Sequence, residues 1–474
     1  MITFLAALYL LVLAILSLYG FVGLLTLWLY WRHRHNEPPR PPLPPELPPV
    51  TIQLPIFNER YVVERLVDAA VALEYPRDKL QIQILDDSTD DTTEIAAARV
   101  AHYRKQGIDI SLLHRDNRQG YKAGALENGL SQASGDFIAI FDADFRPQPD
   151  FLQQTIPHFL ADPRLGMIQA RWGHLNDGDS ALTAAQAIAL DKHFAMEQNV
   201  RYRANLFPKF NGTGGIWRRD CVIDAGGWED DTVCEDLCLS TRAILRGWQF
   251  RFLPDVVAPA ELPASISAYK NQQARWAKGS SQCLVKFGRA ILADRQHKLG
   301  SRLYALFSMS AYSTHLLFIA LLLLQLPLIA ANYQMPGWLL LFSLAAVGQP
   351  LLFITSQAVL YPDWQRRLRY LPALFLITIG LAPTNARAIL QAFFGRKHIF
   401  VRTPKQGGNG RVAAAYRLHL DWIVAAELFL MAYAMASLLL ALHQNNLGFV
   451  FFLTLCIAGF GYVLFLTWRE QKVY

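Results

Sequence analysis

Leu80-Gln81-Ile82-Gln83-Ile84-Leu85-Asp86-Asp87 is the stretch from which the fold can be read. Apolar and polar side chains alternate as in a β-strand, and the run stops on two adjacent carboxylates. Phe137-Ile138-Ala139-Ile140-Phe141 repeats the arrangement, stopping on Asp142-Ala143-Asp144. Outward from these, Val50–Leu54 and Ile108–Leu113 read as two more strands, and Glu59–Leu73, Asp91–Gln106 and Lys122–Ser131 as the helices between. A βαβ series of this kind predicts an α/β domain with a mainly parallel sheet and helices on both faces. Ligands of such sheets bind at the carboxyl ends of the strands, where these acidic residues stand.

A third acidic site, Glu235-Asp236, opens a helical pattern that runs through Leu245, and Asp116 follows the third strand as a weaker member. Paired carboxylates at strand ends offer hard oxygen ligands to a divalent cation, and the cation can neutralise a diphosphate. Any one of these residues is equally well explained as a turn or helix cap; their recurrence after successive strands is what indicates a site. No GxxxxGK[ST] loop and no GxGxxG is present, so diphosphate recognition falls to metal, basic side chains and helix ends. Lys122 in Gly120-Tyr121-Lys122-Ala123-Gly124 opens a helix, which makes an anion site. In Gln272-Gln273-Ala274-Arg275-Trp276, Arg275 can fork onto phosphate and Trp276 offers a flat face to sugar C–H groups. Taken alone, that stretch reads as an amphipathic helix at a membrane surface.

The chain has 474 residues, 53% hydrophobic and 18% charged, with a formal net charge of +7. The apolar residues gather at the two ends. Residues 2–31 form a run long enough to cross a bilayer, with an uncharged start unlike a cleaved signal, read as an anchor with its amino end outside. A proline-rich spacer, Glu37–Pro49, follows. Further apolar runs lie at about 303–331, 338–360, 370–394, 421–442 and 447–468. Pro372 and Pro383 interrupt the run at 370–394 and basic residues flank it on both sides, so it is expected to be re-entrant or interfacial. This leaves one span before the catalytic domain and four after it. The expected domains are 1–31, 32–49, 50–295 and 296–474.

Basic residues cluster beside these runs (Arg32, His33, Arg34; Arg366, Arg367, Arg369; Arg396, Lys397, Arg402, Lys405) as in cytoplasmic loops. No long basic run points to nucleic acid. Cys221, Cys234, Cys238, Cys283 and Cys456 form no CxxC or zinc pattern and read as reduced thiols. Asn211-Gly212-Thr213 fits a glycosylation sequon, of consequence only if it faces a secretory lumen.

In this order the motifs resemble the processive family 2 glycosyltransferases, cellulose synthase and hyaluronan synthase among them, with their D,D,D,(Q/R)xxRW signature. Within that family the strings Gln53-Leu54-Pro55-Ile56-Phe57-Asn58-Glu59, Asp116-Asn117-Arg118, Gln169-Ala170-Arg171-Trp172 and Phe210-Asn211-Gly212-Thr213 are similar to the plant-type cellulose-synthase-like mannan and glucan synthases. Cys234 stands where Thr or Val usually precedes Glu-Asp. The resemblance implies a GT-A catalytic domain and these roles: Asp86 and Asp87 at the nucleotide; Asp142 and Asp144 at the diphosphate and a Mg²⁺ or Mn²⁺ ion; Lys122, Gln272 and Arg275 on the donor; Asp236 as general base; Glu235 and Trp276 at the acceptor.

The implied function is inverting transfer of a hexose, from UDP-glucose or GDP-mannose, onto the end of a β-linked polysaccharide. The protein would be multi-pass in a plasma or inner membrane, with its catalytic domain cytoplasmic and export, with or without partner subunits, coupled to synthesis. Trp172, Trp217 and Trp276 are candidates to line the entrance to the exit path. The same motifs would serve an enzyme that adds one sugar to a lipid. A transporter or scaffold with a nucleotide-sensing domain is the contrasting class; no inverted hydropathy repeat and no charge clearly central in a span supports it.

Overall fold

The computed structural model describes residues 1–36, 40–395 and 422–473. Seven strands, β1 (Val50–Ile56), β2 (Leu80–Asp86), β3 (Ile110–His114), β4 (Phe137–Ile140), β5 (Leu165–His174), β6 (Gly215–Arg218) and β7 (Gln249–Ala260), make one sheet in the order β3-β2-β1-β4-β6-β5-β7. β1 pairs parallel with β2 and β4, and β2 with β3. β6 is antiparallel to both β4 and β5, so β5 regains the direction of β4. The carboxyl ends of β1, β2, β4 and β5 therefore open on one edge.

The expected elements form with small boundary shifts. The first helix starts at Val63, not Glu59, because the amides of Val62 and Val63 first close a turn on the Glu59 carbonyl. One sheet face packs Ile52, Leu54 and Ile56 against Leu66, Phe151 and Phe159. The other packs Leu85, Ile138 and Ile140 against Leu126, Trp217 and Phe252. Gln53 and Gln83, which strand alternation alone would turn to solvent, are buried and bonded to each other, Gln53 Nε2 donating to Gln83 Oε1 at 3.1 Å. A Cβ added at Gly129 would stand 2.6 Å from Gln53 Nε2, so the helix Tyr121–Ser131 rests directly on this pair. Trp217 was a candidate for the entrance, but it is fully buried in this layer, with its ring edge-on to Phe210 and Trp228. It pairs with Ile138 of β4 and Met167 of β5, toward the amino ends of those strands and away from the carboxyl edge.

Among the described residues, five helices are long and apolar enough to cross a bilayer: Ile2–His33, Ala311–Ala330, Gly337–Leu360, Trp422–His443 and Leu447–Lys472. The run at 370–394 forms two helices, Leu371–Gly380 and Ala382–Phe393, with a bend of 44° where they meet. Each has its proline in the first turn, where the missing N–H has no intrahelical partner to lose. Arg367 does more than flank this segment: it ion-pairs with Asp177 of the catalytic domain at 2.8 Å. Arg396, Lys397, Arg402 and Lys405 lie outside the described residues, as do residues 37–39 of the spacer.

The amphipathic helix Ile266–Ala293 lies between domain and bundle and carries Gln272, Arg275 and Trp276 in its first half. Its first turn is pinned by two spans: Ser267 donates to Glu470 at 2.9 Å, and Lys270 meets the fully buried Glu427 at 2.6 Å.

Candidate active site

The carboxyl edge of the sheet borders a cavity of about 240 Å³. Asp87, Lys122, Asp142, Asp144, Glu235, Asp236, Gln272, Arg275 and Trp276 all line it. Residues separated by up to 189 positions are thus brought together by five elements: the ends of β2 and β4, and the helices Tyr121–Ser131, Glu235–Leu245 and Ile266–Ala293.

Asp86 is the exception. Its carboxylate faces the interior, accepting from Thr93 Oγ1 at 2.7 Å, the Ser88 amide at 2.9 Å and His114 Nδ1 at 2.8 Å. Burial works against its charge, but the hydrogen bonds of Ser88, Thr93 and His114 outweigh it and hold the pKa below the usual carboxylate value. Adjacent strand residues point to opposite sides, so Asp86 serves the fold and Asp87 reaches the cavity. Arg115 clamps Asp87 with both ends of its guanidinium, at 2.7 and 2.5 Å. Arg115 follows the third strand directly, next to the fully exposed Asp116, and acidity alone drew attention to the wrong neighbour. Arg118 lies with its guanidinium 3.4 Å from the Phe57 ring centre, and both residues line the cavity, a combination suited to a flat heterocycle.

Lys122 sits at the centre. The turn before it holds Gly120 and Tyr121 at positive φ, and a Cβ on Gly124 would come within 2.1 Å of the Gln119 carbonyl oxygen, so the chain can close this tightly only with glycine there. Lys122 Nζ donates to Asp142 Oδ1 at 2.6 Å and to the Gly212 carbonyl at 2.9 Å, and stands 3.9 Å from Glu235. Burial disfavours its charge, but Asp142, Glu235 and Asp236 outweigh burial and hold its pKa above the ordinary lysine value. The side chain is therefore not a solvated surface lysine.

Glu235 and Asp236 open their helix, where backbone N–H groups favour negative charge. Asp236 Oδ1 accepts from the Leu237 amide at 2.8 Å. Its other oxygen would lie 3.0 Å from a Cβ on Gly212, which has φ of 85°. Burial pushes Glu235 up to about 7, with Lys122 opposing and Asp236 adding to the rise. Burial also raises Asp236, against the Leu237 amide and Lys122. The Asn211 side chain accepts from Gln198 at 2.6 Å, and Asn211 lines the cavity, so a glycan at this sequon would fill the site.

Among the described residues, no group of three or more His, Cys, Asp or Glu side chains is arranged to hold a metal. Asp142 and Asp144 together supply carboxylate oxygens only, and small divalent cations are commonly held by one or two carboxylates plus substrate phosphates and water. The donor set therefore fits Mg²⁺ or Mn²⁺ bound with a diphosphate. Asp142 shares one oxygen with Lys122, and both carboxylates stand as candidate ligands.

A family model described as "Glycosyltransferase like family 2" matches residues 48–279. Glucomannan 4-β-mannosyltransferases 9 and 7 of Arabidopsis thaliana are 41% and 35% identical to this chain, over 55% and 76% of its length. A glucomannan 4-β-mannosyltransferase of Cyamopsis tetragonoloba is 40% identical over 55% of the chain. The chain spans about half the length of these relatives, 50% of the first and 65% of the second. A solved mannosyltransferase of Pyrobaculum calidifontis, in complex with GDP-mannose and Mn²⁺, superimposes with a TM-score of 0.55 at 23% identity, over 82% of this chain and 100% of its own.

Proposed function

We propose, for a chain whose residues 48–279 form a glycosyltransferase family 2 domain, that it transfers a hexose with inversion from a nucleotide-sugar to the end of a growing β-linked polysaccharide. The carrying observation is the convergence of Asp87, Asp142, Asp144, Asp236, Arg275 and Trp276 on one cavity. Mannose from GDP-mannose is the first donor to test, because the relatives named above are mannosyltransferases.

In this reading Asp87, fixed by Arg115, orients the nucleotide beside Phe57 and Arg118. Lys122, Gln272 and Arg275 attract the diphosphate. A Mg²⁺ or Mn²⁺ ion held by Asp144, with Asp142, would supply charge neutralisation for the departing diphosphate. A sugar hydroxyl is a poor nucleophile near neutral pH, and Asp236 takes its proton as the new bond forms, a contribution of ~10²–10⁴-fold. Attack from the face opposite the leaving group turns an α-linked donor into a β-linked product. Trp276 floors the acceptor sugar, with Glu235 beside it.

The five apolar helices support a multi-pass membrane protein. We read its catalytic domain as cytoplasmic, with the bent pair 364–393 at the interface and the bundle passing the chain outward. The test is a panel of nucleotide-sugars given to detergent-purified protein, with released diphosphate as readout. Turnover of one hexose donor, dependent on divalent metal, is expected. No release from any donor would end the enzymatic reading and favour the nucleotide-sensing alternative.

A further inference from the structure

The cavity wall beyond the carboxylates holds a histidine that the assignments above do not use. His174 is the last residue of β5 and lines the cavity, two residues after Trp172, which lines it too. Residues two apart on a strand share a face. Because β5 runs with β1, β2 and β4, the order along the carboxyl edge is Asp87 after β2, Asp142 after β4, then His174 at the end of β5. Two strand spacings separate β4 from β5, about 10 Å. That is roughly two sugar rings farther from the nucleotide than the diphosphate position.

His174 has 2% of its side chain exposed, and its Nε2 lies 2.8 Å from Asp191 Oδ1. Asp191 is fully enclosed and accepts two further donors, Gln357 Nε2 at 2.9 Å and the Tyr361 hydroxyl at 3.3 Å. Arg367 donates to Gln357 Oε1 at 2.8 Å, extending the set to the ion pair with Asp177. Burial raises the Asp191 pKa, but His174, Gln357 and Arg367 outweigh it and keep the carboxyl ionised below its ordinary value. A carboxylate accepts only, so the ring nitrogen facing it carries the proton. The other nitrogen, Nδ1, is buried and has no hydrogen-bond partner. An unpartnered buried acceptor calls for a missing partner, and at the wall of a sugar site a hydroxyl, direct or through one water, is that partner.

We infer that His174, held in one tautomer by Asp191, is an acceptor-binding residue that accepts a hydrogen bond from a hydroxyl of the polysaccharide beyond its reacting sugar, with Trp172 packing beside it. The assignment rests on the glycosyltransferase reading and deepens it. Through Gln357 and Arg367 the same carboxylate ties this wall to the helix Gly337–Leu360 and to the bent pair. The acceptor chain is thus gripped at the point where the catalytic domain meets the bundle.

The test is steady-state transfer from the accepted donor to a short β-1,4-linked oligosaccharide of the same sugar, with acceptor and donor KM measured separately. His174→Phe, which keeps a ring and removes both nitrogens, should raise acceptor KM about tenfold, the scale of one lost hydrogen bond in a polarised set, while donor KM stays within about twofold. His174→Phe leaves Asp191 buried with one donor fewer. The double variant His174→Phe/Asp191→Leu removes the charge as well, avoids an unpaired carboxylate, and should show the same rise. Wild-type acceptor KM in the double variant, or donor KM rising in step with acceptor KM, would overturn the inference. Absence of any transfer by the unaltered protein would instead strike at the glycosyltransferase reading itself.

Discussion

Lys122 and Lys270 each lie beside carboxylates, and their surroundings differ in a way that separates chemistry from architecture. Lys122, in the cavity, touches Asp142 and stands near Glu235, and Asp236 also acts on its charge. This cluster faces an open cavity, and Arg275 on the same wall also acts on Glu235 and Asp236, so its charges are turned to a space that a ligand can enter. Lys270, at the seam between the helix Ile266–Ala293 and the bundle, meets one carboxylate, Glu427, at 2.6 Å. That pair is enclosed, with Glu427 fully buried and Lys270 8% exposed. Here charge that faces a cavity is placed for binding, and an enclosed ion pair, costly to break from one side, joins helix and bundle.

The largest effect belongs to the cavity. Asp236→Asn should lower transfer by ~10²–10⁴-fold while nucleotide-sugar binding, followed by calorimetry, is retained. Unchanged turnover would remove Asp236 from the role of base.

Next comes the seam. Glu427→Leu strands Lys270 without its partner and should cost about 3–5 kcal/mol, seen as a lower melting temperature of the detergent-solubilised protein. Lys270→Met/Glu427→Leu should recover most of that loss. If the single and double variants melt alike, the pair is not what joins helix and bundle.

The smallest effect sharpens the contrast from the cavity side. The fold raises the Glu235 pKa from 4.5 to about 7. A raised carboxyl pKa means that the protonated form is favoured in the folded state. Its contribution to stability is therefore complete below about 4.5 and fades as pH climbs through about 7. Melting temperature against pH should show that decline in the unaltered protein and a shallower one in Glu235→Gln. Parallel curves would mean that Glu235 titrates as an ordinary surface carboxyl.

Much of this was legible in the sequence because strand alternation and the acidic residues after β2 and β4 are local signals. The interrupted segment 370–394 was legible too, because proline marks the first turn of each half. What the sequence concealed depends on which way a side chain turns. Asp86 and Asp87 look equivalent in a string, yet the pleat sends one to the core and the other to the cavity. Trp217 and Trp172 are both aromatic residues on strands, and only Trp172 borders the site, because it lies near the carboxyl end of β5 whereas Trp217 pairs with Ile138 and Met167 toward the amino ends of β4 and β5. Arg115 was hidden beside a more conspicuous aspartate. His174 and Asp191 lie 17 positions apart, and no spacing rule connects the end of a strand with the end of the helix that follows it.

The central claim is that this cavity extends a polymer, and the product itself tests it most directly. Membranes carrying the protein, given labelled GDP-mannose or UDP-glucose with Mg²⁺ or Mn²⁺, should yield long, water-soluble or precipitable chains whose new linkages are β by anomeric NMR. A single labelled species that partitions into organic solvent, or α-linked product, would contradict the account.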